Sequence, residues 1–341
     1  LAVLCVLALL GANGTSIHGV DDESICAYQV PNLDIPAADV VFVGGSRLGR
    51  GIDPVYMMDR IASKSSQEVH IERLVLNTPN IPQFRPLLAR YIEQRGAPKY
   101  VVLQLLYNFK PGRQRTWDVP VNNLRNLTFA SLRELRDIRA SSELNEYDTT
   151  FPRKFEANYL SFPAIVMQRI EINIFAALRW PAKQLTDKNI CSGDALFLQG
   201  KDRVYNSIGD DIIFEDTPAR QERRVRDYKT ASDFLPLSPG EPFRRFETDQ
   251  LKDIIAILEA AGSSVKLMIM PALGDTELTQ AEKNEIEMVF PGYPLLHPYD
   301  LFSTDVGPNL AKSFADTHHA TPYGALLYSR HFADAILGFN F

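Results

Sequence analysis

Cysteine is scarce in this chain: three in 341 residues, at Cys5, Cys26 and Cys191. There is no CxxC pair and no Cys/His cluster of the kind that holds a structural zinc, and a disulfide-dense scaffold is excluded. Cys5 lies in an apolar leader, which leaves Cys26–Cys191 as the one disulfide open to the chain, and their separation does not show that the sulfurs meet. Concentrated positive charge is also missing. With 36 Lys+Arg against 42 Asp+Glu the net charge is -6, so no nucleic-acid partner is expected. The one basic cluster, RQERRVR at Arg220–Arg226, reads as a solvated helix face. Internal repeats and low-complexity tracts are absent, and no apolar run reaches the ~20 residues a membrane-spanning helix needs.

What is present is an uncharged apolar start, LAVLCVLALLGANG, followed by polar SIHGVDDES. That order fits the h-region of a signal peptide or the end of an N-terminal membrane anchor over residues 1–14, with a trimmed or partial start, since no Met precedes it. Export is expected, to the periplasm or another extracytoplasmic site. Residues 15–37 form a proline-marked connector. An alternating pattern then begins. DVVFVG (Asp39–Gly44) is apolar after its first residue, as in a strand buried on both faces. A helix follows from Pro54 to Ser63, with Asp53 as N-cap and Pro54 at its first position. A strand at Glu72–Asn77, a helix at Pro82–Arg95 ended by Gly96, and a strand at Lys99–Leu106 complete the first half. After an irregular stretch of about 112–242, read as a mostly helical insertion or cap, the pattern resumes. It runs through a helix at Phe246–Ala261, a strand at Ser264–Met270, a helix at Gln280–Met288, a short strand at Tyr293–His297 and a last helix at Pro322–Leu337. Strand–helix alternation predicts an α/β fold: one domain over 38–341, three layers (α/β/α) on a parallel sheet.

Ligands of open parallel sheets sit beyond the carboxyl ends of the strands, so the residues that follow the strands carry the chemistry. The first strand runs into Gly-Gly-Ser, placing Ser46 at a sharp turn that leads toward a helix, where backbone amides lack intrahelical acceptors. Alone, this suits a plain turn or a phosphate site as well as a nucleophile. Near the far end, FADTHHATPYGALLYS places Asp316 three residues before His319. A carboxylate at that spacing can accept from one ring nitrogen and leave the other to take a serine proton. A loop cap at Asp316 and surface histidines at 318 and 319 are the plain alternative. The two segments can act together only if the sheet brings both to one edge, which the α/β pattern predicts.

GGSRLGRG resembles the first block of the SGNH (GDSL-like) hydrolase superfamily, and DTHHATPYGA resembles its Asp-x-x-His block. The resemblance covers 38–110 and 245–340, and is strongest to exported SGNH-like proteins of polysaccharide O-acetylation. These include alginate acetylation proteins, peptidoglycan O-acetyltransferases and the D-alanyl transfer protein of teichoic acids. It implies a flavodoxin-like α/β/α fold, Ser46 as nucleophile, His319 as base and Asp316 as its orienting carboxylate, with His318 a neighbour. It further implies oxyanion donors from the backbone of Ser46 or Arg47 and from Asn108, which follows the third strand; a turn role before Pro111–Gly112 accounts for Asn108 equally well. The glycine usual after the second strand is absent from NTPNIP, where Pro79 has no N–H, and Asn80 is left to replace it. A missing donor costs ~10²–10³ in rate, so slow ester hydrolysis is expected. The implied activity is serine-dependent acyl transfer or ester hydrolysis on a cell-surface or exported polysaccharide. It needs no cofactor and no metal, and a membrane-bound O-acyltransferase would supply the acyl group.

Other residues draw plainer readings. Asp210–Asp211 and Glu215–Asp216 lack a histidine and match no standard metal spacing. Trp117, Tyr159 and Trp180 suit core packing more than sugar stacking. Asn126-Leu127-Thr128 is a glycosylation sequon by pattern alone. The alternative to an enzyme is a non-catalytic scaffold or glycan-binding component of an envelope polysaccharide complex, favoured by the missing glycine and disfavoured by the intact Ser, Asp and His.

Overall fold

A computed structural model describes residues 36–76, 81–105, 207–208, 211–212, 245–271, 280–305, 310–314 and 319–339. The leader, the three cysteines, Asn80, Asn108, Asp316, His318, the sequon and the tryptophans lie outside the described residues. So does the insertion, apart from a two-stranded antiparallel ribbon of β4 (Ser207–Ile208) and β5 (Asp211–Ile212).

Five strands form one parallel sheet: β1 (Val40–Gly44), β2 (Ile71–Val75), β3 (Tyr100–Gln104), β6 (Ser264–Met268) and β7 (Leu295–Leu296), in the order β2-β1-β3-β6-β7. Disregarding the separate ribbon, this is the 2-1-3-4-5 order of doubly wound sheets. β1 and β3 are buried along their whole length, which their almost entirely apolar sequences predict; Gln104 at the end of β3 is the polar exception. The register is even: Val40 to Val43 lie opposite Ile71 to Leu74 on one side and Tyr100 to Leu103 on the other.

The helices are α1 (Ser46–Gly51), α2 (Pro54–Ser65), α3 (Ile81–Arg95), α4 (Arg245–Ala260), α5 (Gln280–Val289), α6 (Leu301–Thr304), α7 (Leu310–Ser313) and α8 (Pro322–Ile336). Side chains alternate between the faces of a strand, so neighbours on β2 sort the helices. Glu72 meets Tyr91 and Arg95 of α3, while Arg73 donates to Gly49 of α1 and to Ile52. Phe42, opposite Arg73, meets Phe332 of α8 edge-on at 6.4 Å. α1, α2 and α8 therefore cover one face and α3 the other, with α4 packed beside α3. The helix ends follow their sequence signals. The Asp53 carboxylate accepts from the Val55 and Tyr56 amides at the start of α2. Gly96 and Gly262, at φ +92° and +94°, take the left-handed turns that close α3 and α4.

α1 is additional to the expected helices. Ser46 was expected to lead toward a helix, with the bounds of a helix given only from Pro54 on, and Ser46–Gly51 forms its own short helix, SRLGRG. Gly49 inside it disfavours it by about 1 kcal/mol and Gly51 ends it, so it is held from outside. The buried Arg73 guanidinium caps its far end through the Gly49 and Ile52 carbonyls. Gly51 sits where a Cβ would run into Met270 and touch Tyr328 at 3.6 Å.

Candidate active site

The carboxyl end of β1 lies between those of β2 and β3, where the chain's crossovers leave the sheet in opposite directions. This switch point is where a crevice opens in doubly wound folds. Gly45 caps α1 in extended backbone (φ -91°, ψ -170°) and its carbonyl accepts from the Gly49 amide at 3.1 Å. Ser46 is therefore the first residue of the helix, half-buried, and the amides of the first turn are directed away from the helix body. Arg47 follows with a buried side chain, 8% exposed; only its backbone amide was assigned a part from sequence.

His319 reaches the same point from 273 residues away. Its Nε2 lies 2.9 Å from Ser46 Oγ, part-buried, with the tautomer deciding which of the two donates. The loop that carries it is pinned at both ends. Phe314 and Ala320 form an antiparallel bridge, and the Thr321 amide donates to the Ser313 carbonyl at 2.9 Å. The Thr321 hydroxyl donates to the Lys312 carbonyl and accepts from the Gly324 amide at 3.2 Å, capping α8. A Cβ at Gly324 would collide with the Ser313 carbonyl oxygen and lie 3.0 Å from its carbon, so α7 and α8 meet backbone to backbone. The glycine of TPYGA is there for close approach, without need of an unusual backbone angle.

Of the six site residues named from sequence, the structure brings Ser46 and His319 together and places Arg47 beside them. Asp316, Asn80 and Asn108 lie outside the described residues. Three contributors were missed. Gln104 ends β3 and accepts from the Gly45 amide at 2.9 Å. Arg73 caps α1, and Thr321 holds the histidine loop. Gln104 had a faint signal, a polar side chain ending an otherwise apolar strand, and Thr321 had the plain N-cap signal of Thr-Pro; Arg73, next to Glu72 in IERLV, had none.

Among the described residues no group of three or more His, Cys, Asp or Glu is placed to hold a metal ion, and no helix is long and apolar enough to cross a membrane. No protein-family model matches the chain, and no curated protein matches it. The class that sheet and site define is thus an α/β protein with a serine–histidine pair at the β1 switch point.

Proposed function

We propose that the chain is an SGNH-type serine acyltransferase or carbohydrate esterase, working outside the cytoplasm on an acylated cell-surface or exported polysaccharide. The observation that carries the reading is the 2.9 Å contact between His319 Nε2 and Ser46 Oγ at the carboxyl edge of the sheet. In this reading Ser46 Oγ attacks the acyl carbonyl carbon and its proton passes to His319 Nε2. The tetrahedral intermediate collapses, and its leaving alcohol takes the proton from His319, which leaves an acyl ester on Ser46. A sugar hydroxyl, or water, then attacks that ester while His319 accepts its proton. The new ester or free acid departs and the proton returns to Ser46 Oγ.

Asp316 is proposed to orient His319, and the amides of Ser46 and Arg47, with Asn80 and Asn108, to hold the oxyanion. An acetyl group delivered by a membrane-bound O-acyltransferase and an exopolysaccharide or cell-wall acceptor complete the reading. The test is acetate release from, and transfer between, acetylated oligosaccharides by purified protein. Ser46→Ala and His319→Ala should each abolish both, a loss of about 10³-fold or more, with the melting temperature preserved. Saturable glycan binding with no turnover, indifferent to both substitutions, would replace the enzyme with a binding scaffold.

A further inference from the structure

We infer that Gln104 is a positioning residue for Ser46, which rests on the serine-nucleophile reading above. Gln104 is the last residue of β3 and is 4% exposed. Every other residue of that strand is an apolar or aromatic side chain, so an amide here is out of pattern. Its Oε1 accepts from the Gly45 amide at 2.9 Å, one residue before Ser46. The packing beneath is fitted to it: a Cβ on Gly44 would collide with Gln104 Oε1 and lie 2.7 Å from Gln104 Cβ. Gly44 is therefore glycine because the Gln104 side chain fills the space over the end of β1.

The arrangement ties the turn before the nucleophile across the β1–β3 switch point. Gly45 is the cap of α1, so its amide orientation sets the direction in which the helix and Ser46 leave the strand. His319 arrives from a separate element and cannot follow a displaced serine, because its loop is pinned to α7 and α8. A neutral acceptor suits this role. It satisfies a buried amide without bringing a charge into the sheet beside the Ser46–His319 pair.

The test is the kinetics of Ser46 modification by a fluorophosphonate probe, resolved into the maximal rate of inactivation and the probe concentration at half-maximal rate. Gln104→Met keeps the length and packing but removes the acceptor. Gly44→Ala disturbs the same contact from β1 and serves if the first variant does not fold. Val101→Ala, at the other end of β3, is the control for lost stability alone. The expected result is a maximal rate lowered about tenfold in Gln104→Met and Gly44→Ala, a half-maximal concentration within about twofold of wild type, and an unchanged maximal rate in Val101→Ala. A folded Gln104→Met protein that labels at the wild-type maximal rate overturns the inference, as does an equal loss in Val101→Ala. Absence of Ser46 labelling in the wild type is a different result and strikes the nucleophile reading itself.

Discussion

The two faces of β2 make opposite use of adjacent charged residues. On one face Glu72 is saturated: Arg95 donates to both carboxylate oxygens at 2.7 and 2.8 Å, and the Tyr91 hydroxyl donates at 2.8 Å. Arg95 also holds the Pro36 carbonyl, and the Tyr91 oxygen accepts from the Ala38 amide, so this cluster ties the chain leading into β1 to α3. Burial, reinforced by the neighbouring Glu72 carboxylate, pushes the Tyr91 hydroxyl well above its ordinary range and keeps it a neutral donor. On the other face Arg73 spends its contacts on the carbonyls of Gly49 and Ile52. One face fastens the scaffold; the other fastens the helix that begins with Ser46. Buried guanidinium groups of similar exposure thus serve different ends because of what faces them.

Substituting each arginine separates the two roles. Arg95→Met strands the Glu72 carboxylate and should cost about 3 kcal/mol of stability in denaturant titration, yet leave Ser46 labelling per folded molecule unchanged. Arg73→Met should cost somewhat less, about 2 kcal/mol, and should also slow Ser46 labelling, because the far end of α1 loses its cap. Equal effects on labelling would erase the distinction between the faces. Gly324→Ala extends the comparison to the histidine side. Its methyl must push α7 from α8, at about 1–2 kcal/mol, with a fall in activity through the displaced His319 loop.

The smallest effect concerns His297, just after β7. Burial lowers its pKa from 6.5, against the opposing pull of Asp300, and its Nδ1 has no hydrogen-bond partner among the described residues. His331 of α8, near enough to depress it further, bonds the His297 carbonyl at 2.9 Å, and Lys283 of α5 acts in the same sense. With the folded pKa below the unfolded one, the unfolded chain binds the proton first as pH drops. Stability should be level above about pH 7 and decline slightly as pH falls below 6.5 toward the folded pKa, a slope that His297→Gln removes in thermal melts.

Much of this sheet was legible because its strands are buried on both faces. VVFVG and YVVL announce themselves by continuous apolar character, and Asp53-Pro54, Gly96 and Gly262 mark helix ends by local chemistry that needs no partner. Ser46 and His319 were legible as a pair only through the topology that joins them. α1 was not legible. SRLGRG has poor helix propensity and is stabilised by Arg73, 24 residues from Gly49, a contact that no local window contains. Gln104 was hidden for a similar reason: its partner, Gly45, is 59 residues away. β7 is shorter than the expected Tyr293–His297: among the described residues only Leu295 and Leu296 pair to β6, and Pro294 has no amide hydrogen to give a ladder.

The most direct measurement is site mapping of a fluorophosphonate adduct by mass spectrometry, on wild-type protein and on His319→Ala. Modification at Ser46 in the wild type, lost in folded His319→Ala, is the expected result and makes the 2.9 Å contact an activating one. A folded wild-type protein whose Ser46 stays unmodified, or labels equally without His319, would contradict it and leave the pair as neighbours at a tight turn.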